Sequence, residues 1–264
     1  MRNAGLKYLL AVLFIAVSIV TNAQNRFKKG EDYQREVQVR SNCVLQRGAQ
    51  TLRVSSASAL VRSYKVNNVS LQGATLAVST TRLIDTISAM DQSFIYANAK
   101  PADPNSMIQV GLQNLARVTL QLDVNNKGEI KVTRPPVKLN DTLLSFSGIQ
   151  PEYFKAGTMV PFFADFTPSS NIKKGYTWQS NTAKEQTTYS IYAVTPRTTT
   201  ITYKSSVLGE NLNSRINGTI LIDNNTGLVL KRYAQWVSTG YEMVNGVVYT
   251  ATRRTAITES CTKK

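Results

Sequence analysis

Acidic side chains are the one set of residues in this sequence that could do acid–base chemistry, because the 264-residue chain has no histidine. Without histidine, a Ser–His–Asp or Cys–His nucleophile system cannot be assembled in its usual form. Histidine-ligated zinc is excluded too, and two cysteines cannot build a four-thiolate site. Paired carboxylates need neither, and glycoside hydrolysis runs on two of them roughly 5–10 Å apart. Asp85 with Asp91, or Asp141 with Asp165, are the pairs to test. Nothing in the sequence places either pair in a cleft, and Asp141 and Asp223 read equally well as a helix cap and a turn residue. No Walker loop or dinucleotide fingerprint is present. Asp223-Asn224-Asn225-Thr226-Gly227 lacks the later glutamate of a calcium loop and reads as a turn. The expectation is therefore a protein with no catalytic residues, no metal and no cofactor.

The first 24 residues set the compartment. Arg2 and Lys7 give a positive start, an apolar run follows from Tyr8 to Val20, and Thr21-Asn22-Ala23 offers small residues before Gln24. That pattern predicts a secretory signal peptide, residues 1–23, with the protein exported to the periplasm or medium. The apolar run is shorter than the roughly 20 residues a spanning helix needs, and no second candidate follows, so no transmembrane span is expected in the mature chain.

Lys and Arg number 31 against 16 Asp and Glu, a net charge of +15. This favours anionic partners such as a membrane surface, while export argues against nucleic acid. The two cysteines, Cys43 and Cys261, stand near the two ends of the exported chain. In an oxidising compartment they invite a disulfide, which would be worth about 4–5 kcal/mol for so long a loop. The pairing requires the first and last strands to be neighbours; two free thiols are the alternative.

The elements that would carry any site are strands. Val118, Leu120, Leu122 and Val124 alternate with polar residues, Asn125-Asn126-Lys127-Gly128 turns the chain, and Ile130 and Val132 return. Thr187–Val194, Ile201–Tyr203, Ile216–Ile222 and Leu228–Val237 read as strands. Val244-Asn245-Gly246-Val247 is a two-residue hairpin signal leading into a last strand from Val247 to about Ile257. Helix is limited to a Ser106-capped stretch through Ala116 and a second from Asp141 to Phe146. The fold class expected is all-β with minor helix: a curved antiparallel sheet, half-barrel or open sandwich. Residues 24–264 form one β-rich domain, or two meander halves, 24–133 and 173–258, each opened by a Lys-Lys-Gly and joined by an aromatic-rich segment.

Eight aromatic rings fall within the 33 residues from Phe146 to Trp178, broken by Pro151, Pro161 and Pro168. They either plug the sheet or border an apolar site. The candidate ligand-binding residues are Phe146, Phe154, Phe162, Phe163, Phe166 and Trp178. The Thr-Asn-Ala-Gln end of the leader, the early Lys-Lys-Gly-x-x-Tyr, the Lys-Lys-Gly-Tyr-Thr-Trp at 173–178 and the Gly218-Thr219-Ile220 to Thr226-Gly227-Leu228 section together resemble a broad family of exported bacterial β-rich proteins of unknown function. That resemblance, from which Tyr176 departs where Gly-Asp-x-Trp is commoner, implies a lipoprotein-carrier-like fold, a strongly curved sheet with short helices on its concave side. It brings no catalytic residues. The leading functional expectation is non-enzymatic binding of a lipid or other apolar ligand. A packed structural or partner-binding module stands second and a carboxylate hydrolase third.

Overall fold

A computed structural model describes residues 26–89, 92–134, 154–165, 173–244 and 246–264. The expected leader, the second helix at 141–146, Phe146 and Phe166 lie outside these residues.

Alternating burial organises the strands. Along β1, Asp32–Arg47, the side chains of Tyr33, Arg35, Val39, Ser41, Cys43 and Leu45 are buried, while their even-numbered neighbours are wholly or partly exposed. The same period of two runs through β2 (Gln50–Ser70), β3 (Gly73–Ala89), β5 (Leu120–Asn125) and β12 (Val247–Lys263). It defines an inner, core-bearing face and an outer, wetter face. With β4 (Gln92–Ala97), β6 (Ile130–Arg134), β7 (Thr177–Asn181), β8 (Glu185–Val194), β9 (Thr198–Leu208), β10 (Leu212–Asp223) and β11 (Val229–Val244), the strands form one open 12-stranded sheet. Its order is β6-β5-β3-β2-β1-β12-β11-β10-β9-β8-β7, with β4 beside β3 and every neighbour antiparallel. The all-β expectation holds. The first and last strands thus lie side by side at the middle of the sheet. The edge strands β6 and β7 have five residues each, and short edges offer little template for aggregation.

Three local readings are matched. Asn125–Ile130 turns β5 into β6, the Asn125 side chain accepting from the backbone N–H groups of Lys127 and Glu129. Val244 pairs with Val247 across a two-residue loop. Gly246 there has φ +78°, the left-handed conformation a type I′ turn requires. Helix α1, Met107–Arg117, is capped by Ser106, whose side chain accepts from the Gln109 N–H. It buries Leu112 and Leu115 against Leu60, Leu83 and Tyr96. The helix claims residues through Arg117, so β5 starts at Leu120, two residues later than the alternation predicts.

Residues 154–165 form a strap across the inner face at one end. Phe162 stacks on Tyr33 of β1 at 4.5 Å and meets Tyr64 of β2 at 5.0 Å. On one side the Val160 N–H donates to the Gly128 carbonyl and the Ile130 N–H to that of Thr158. On the other, the Val229 N–H donates to Phe162 and the Ala164 N–H to Gly227. A layer packed on a sheet sits about 10 Å above it. Backbone hydrogen bonds at both flanks are compatible with that height only if the flanks rise to meet the strap. The sheet is therefore a trough, closed at this end by Phe27, Tyr33, Tyr64, Phe154, Phe162 and Phe163.

The expected disulfide is corrected. Its premise holds, since β1 and β12 are neighbours, but Cys261 lies opposite Arg35 and Cys43 opposite Arg253. Eight residues along one ladder separate the two thiols by about 26 Å, against a limit near 7 Å between bridged Cα atoms. Both are free, buried cysteines, and burial pushes the Cys261 thiol up to about 11.

Candidate functional site

Antiparallel register draws a row across the inner face. Trp178, Tyr189, Tyr203, Gly218, Ala234, Ile257, Val39, Ser58, Asp85 and Tyr96 are successive cross-strand partners from β7 to β4. At the β7 end the rings stack. Tyr176 and Trp178 are 5.9 Å apart, Trp178 and Tyr189 5.0 Å apart at 11°, and Tyr189 and Tyr203 5.9 Å apart. The ladder ends on Gly218 for a steric reason: a Cβ there would come within 2.4 Å of the Tyr203 ring. Glycine lets the ring lie flat over the strand, covering backbone that has no side chain of its own.

Beside this row, Ile216 faces Trp236 and Ser205, and Ile220 faces Ile201 and Arg232. Ile216, Ile220, Trp236, Tyr189 and Tyr203 are all half-buried. The N-terminal half of the trough is covered by α1, which packs on β3. Among the described residues, no helix or strand packs broadly over the inner face of β8–β11. Among the described residues this stretch is an apolar floor without a lid.

The floor has a charged margin. Arg35 and Glu259 form a buried ion pair at 2.9 Å, and Arg232 reaches the same Glu259 oxygen at 3.3 Å while keeping part of its side chain exposed. Burial pushes the Tyr189 and Tyr203 phenols up, with the nearby Arg232 charge opposing it. Toward the open end, Thr187 and Ser205 both donate to the Glu185 carboxylate at 2.9 Å. Apolar rings, a guanidinium and hydroxyls thus share one face of the trough.

The residues singled out from the sequence divide. Phe154, Phe162 and Phe163 are buried in the plug under the strap, and Arg62 lies over the Phe154 ring at 5.8 Å. Trp178 stands in the aromatic ladder. Tyr189, Tyr203, Ile216, Ile220 and Trp236 were not singled out. Their alternation was visible, but which face stays open depends on where the strap lies. Of the carboxylates, Asp165 is exposed at the end of the strap and Asp85 is buried at 1% exposure beneath α1; Asp91 and Asp141 are outside the described residues. Asp85 takes a 2.5 Å hydrogen bond from Ser58 on one oxygen and has none on the other. Among the described residues no group of acids and cysteines is placed to hold a metal ion.

No family model matches the chain, and no curated protein does. Solved structures do. One of lipovitellin, described for its lipid–protein interactions, aligns over 90% of this chain with a TM-score of 0.53 at 11% identity. The alignment spans 26% of the lipovitellin chain, about a quarter of its length. OpdQ of Pseudomonas aeruginosa aligns over 90% of this chain and 100% of its own at a TM-score of 0.24 and 7% identity. An outer membrane channel of Pseudomonas putida F1 aligns over 89% and 97% at 0.25 and 5%. The lipovitellin likeness is one of fold, an extended antiparallel sheet; at the channels' scores the backbones do not coincide as one fold.

Proposed function

We propose that the protein is an exported, non-enzymatic envelope protein that holds an apolar or amphipathic ligand, such as the acyl chain of a lipid, along the inner face of β8–β11. The observation that carries this reading is the half-buried floor of Tyr189, Tyr203, Ile216, Ile220 and Trp236, bordered by Arg232 and left uncovered by any other described segment beyond the strap. Such side chains gain roughly 25 cal/mol for each Å² they withdraw from water, and an acyl chain laid along the floor withdraws them. The lipovitellin structure adds that a sheet of this fold occurs in a protein described for lipid interactions. A packed structural module is the second reading. It is favoured at the strap end, where Phe162 and Phe163 already fill the trough.

A fluorescent fatty-acid probe separates the two. It should bind the folded protein saturably and be displaced by phospholipid. Ile216→Gln, which puts an amide on the floor, should weaken binding about tenfold while leaving the β-type circular dichroism unchanged. Folded wild-type protein that binds no probe would leave the packed module as the answer.

A further inference from the structure

The end of the trough opposite the strap carries its own surface. Here β9 runs into β10, β11 into β12 and β1 into β2. On the outer face of this rim Met243 is 70% exposed, Leu208 61%, Tyr241 59% and Val248 56%. Met243 and Val248 are direct cross-strand partners beside the tip of the β11–β12 hairpin, and the Tyr241 N–H donates to Asn211 of the β9–β10 turn. These are four large apolar side chains on adjoining hairpins, turned away from every core cluster. Contiguous exposure of this kind marks an interaction surface.

The outer face behind them is basic, beginning about 20 Å back along the strands from the Met243–Val248 pair and reaching the rim at β1–β2. Arg215, Val237 and Arg254 form one cross-strand row, with Val237 itself exposed between the two arginines. Arg47 at the β1–β2 turn and Arg53 on the outer face of β2 are exposed as well. The described acids at this end are occupied: Glu242 pairs with Arg253 at 2.6 Å, Glu210 with Lys184 at 3.6 Å, and Glu185 accepts from Thr187 and Ser205. Arg47, Arg53, Arg215 and Arg254 make no ion pair among the described residues.

We propose that this rim docks the protein on an anionic lipid bilayer, with Tyr241, Met243 and Val248 entering the headgroup region and the arginines meeting anionic headgroups. Charge complementarity selects a polyanionic partner. The apolar side chains select one that can be penetrated, because a soluble polyanion has nowhere to bury a methionine at a hairpin tip. Tyrosine suits the same boundary, its ring apolar and its hydroxyl wet. The inference goes beyond ligand binding in the trough and does not depend on it.

Vesicle co-sedimentation of the protein purified from its host tests this. Equimolar phosphatidylcholine–phosphatidylglycerol vesicles should retain the protein, phosphatidylcholine vesicles should not, and high salt should release it. Each basic residue near an anionic surface contributes about fivefold, so Arg47→Gln with Arg53→Gln should cost roughly thirtyfold in affinity. Met243→Ser with Val248→Ser should cost at least about tenfold. Arg82→Gln, on the outer face of β3 away from the rim, and Ile216→Gln should both sediment as wild type. Equal retention by both vesicle types, or retention insensitive to both rim variants, overturns the proposal. So does binding to soluble dextran sulfate by a protein that anionic vesicles fail to retain.

Discussion

Asp85→Asn should remove a fall in stability that the wild-type protein shows between about pH 4 and pH 7. Asp85 is buried between Ser58 of β2 and Tyr96 of β4, under α1, and its second oxygen has no hydrogen bond. Burial raises its carboxyl from 3.8 to about 7, and the Ser58 hydrogen bond only partly offsets that. In the unfolded chain the group titrates at its ordinary value. Between the two values the folded protein therefore holds a proton that the unfolded chain does not, and stability falls as pH rises. The contribution is fully present below 3.8 and is lost by the time pH passes about 7. A gap of about three pKa units corresponds to roughly 4 kcal/mol. Glu31, held low by Lys263 against its partial burial, gives a slope of the opposite sign, so the test is the difference between wild-type and Asp85→Asn urea melts across this range. The wild type should lose ground to the variant as pH rises. Parallel curves would mean that Asp85 is ionised in the folded protein throughout.

Phe162→Ala should cost about 3–5 kcal/mol, as expected for deleting a fully buried ring. The side chain is inaccessible and touches Tyr33, Tyr64 and Phe163. Its carbonyl also accepts the Val229 N–H that ties the strap to one flank of the sheet. A loss of that size approaches the whole stability of an ordinary domain. Phe162→Leu, which keeps most of the volume, should cost about 1.5 kcal/mol or less. Equilibrium urea unfolding measures both. A loss under about 1 kcal/mol for Phe162→Ala would show that the strap is not docked on the sheet.

The sequence was most readable where local chemistry decides the structure. Asn-Gly at 245–246 fixes a two-residue hairpin, and Ser106 caps the helix. The longest strand was the least readable. β2 runs 21 residues, yet its inner positions include Ser56, Ser58 and Arg62, all buried without being apolar. Their burial depends on neighbours supplied by β1 and β3, so the alternation that announces a strand elsewhere is muted there. The cysteines show the same limit: the disulfide required the first and last strands to be neighbours, which they are, but it also required a register that nothing in the sequence sets. The aromatic segment was visible as a cluster of rings. Its partners Phe27, Tyr33 and Tyr64 lie far earlier in the chain, and only their position shows that Phe154, Phe162 and Phe163 close one end of the trough. Among the described residues, that closure leaves the floor of β8–β11 uncovered.

Photolabelling with a diazirine-bearing fatty acid, followed by peptide mass spectrometry, tests the occupancy of this floor most directly. The account predicts covalent label on the inner-face positions of β8–β11, at Tyr189, Tyr203, Ile216 or Trp236, and its loss when unlabelled fatty acid competes. Label confined to the outer face, or none that a competitor removes, would contradict it.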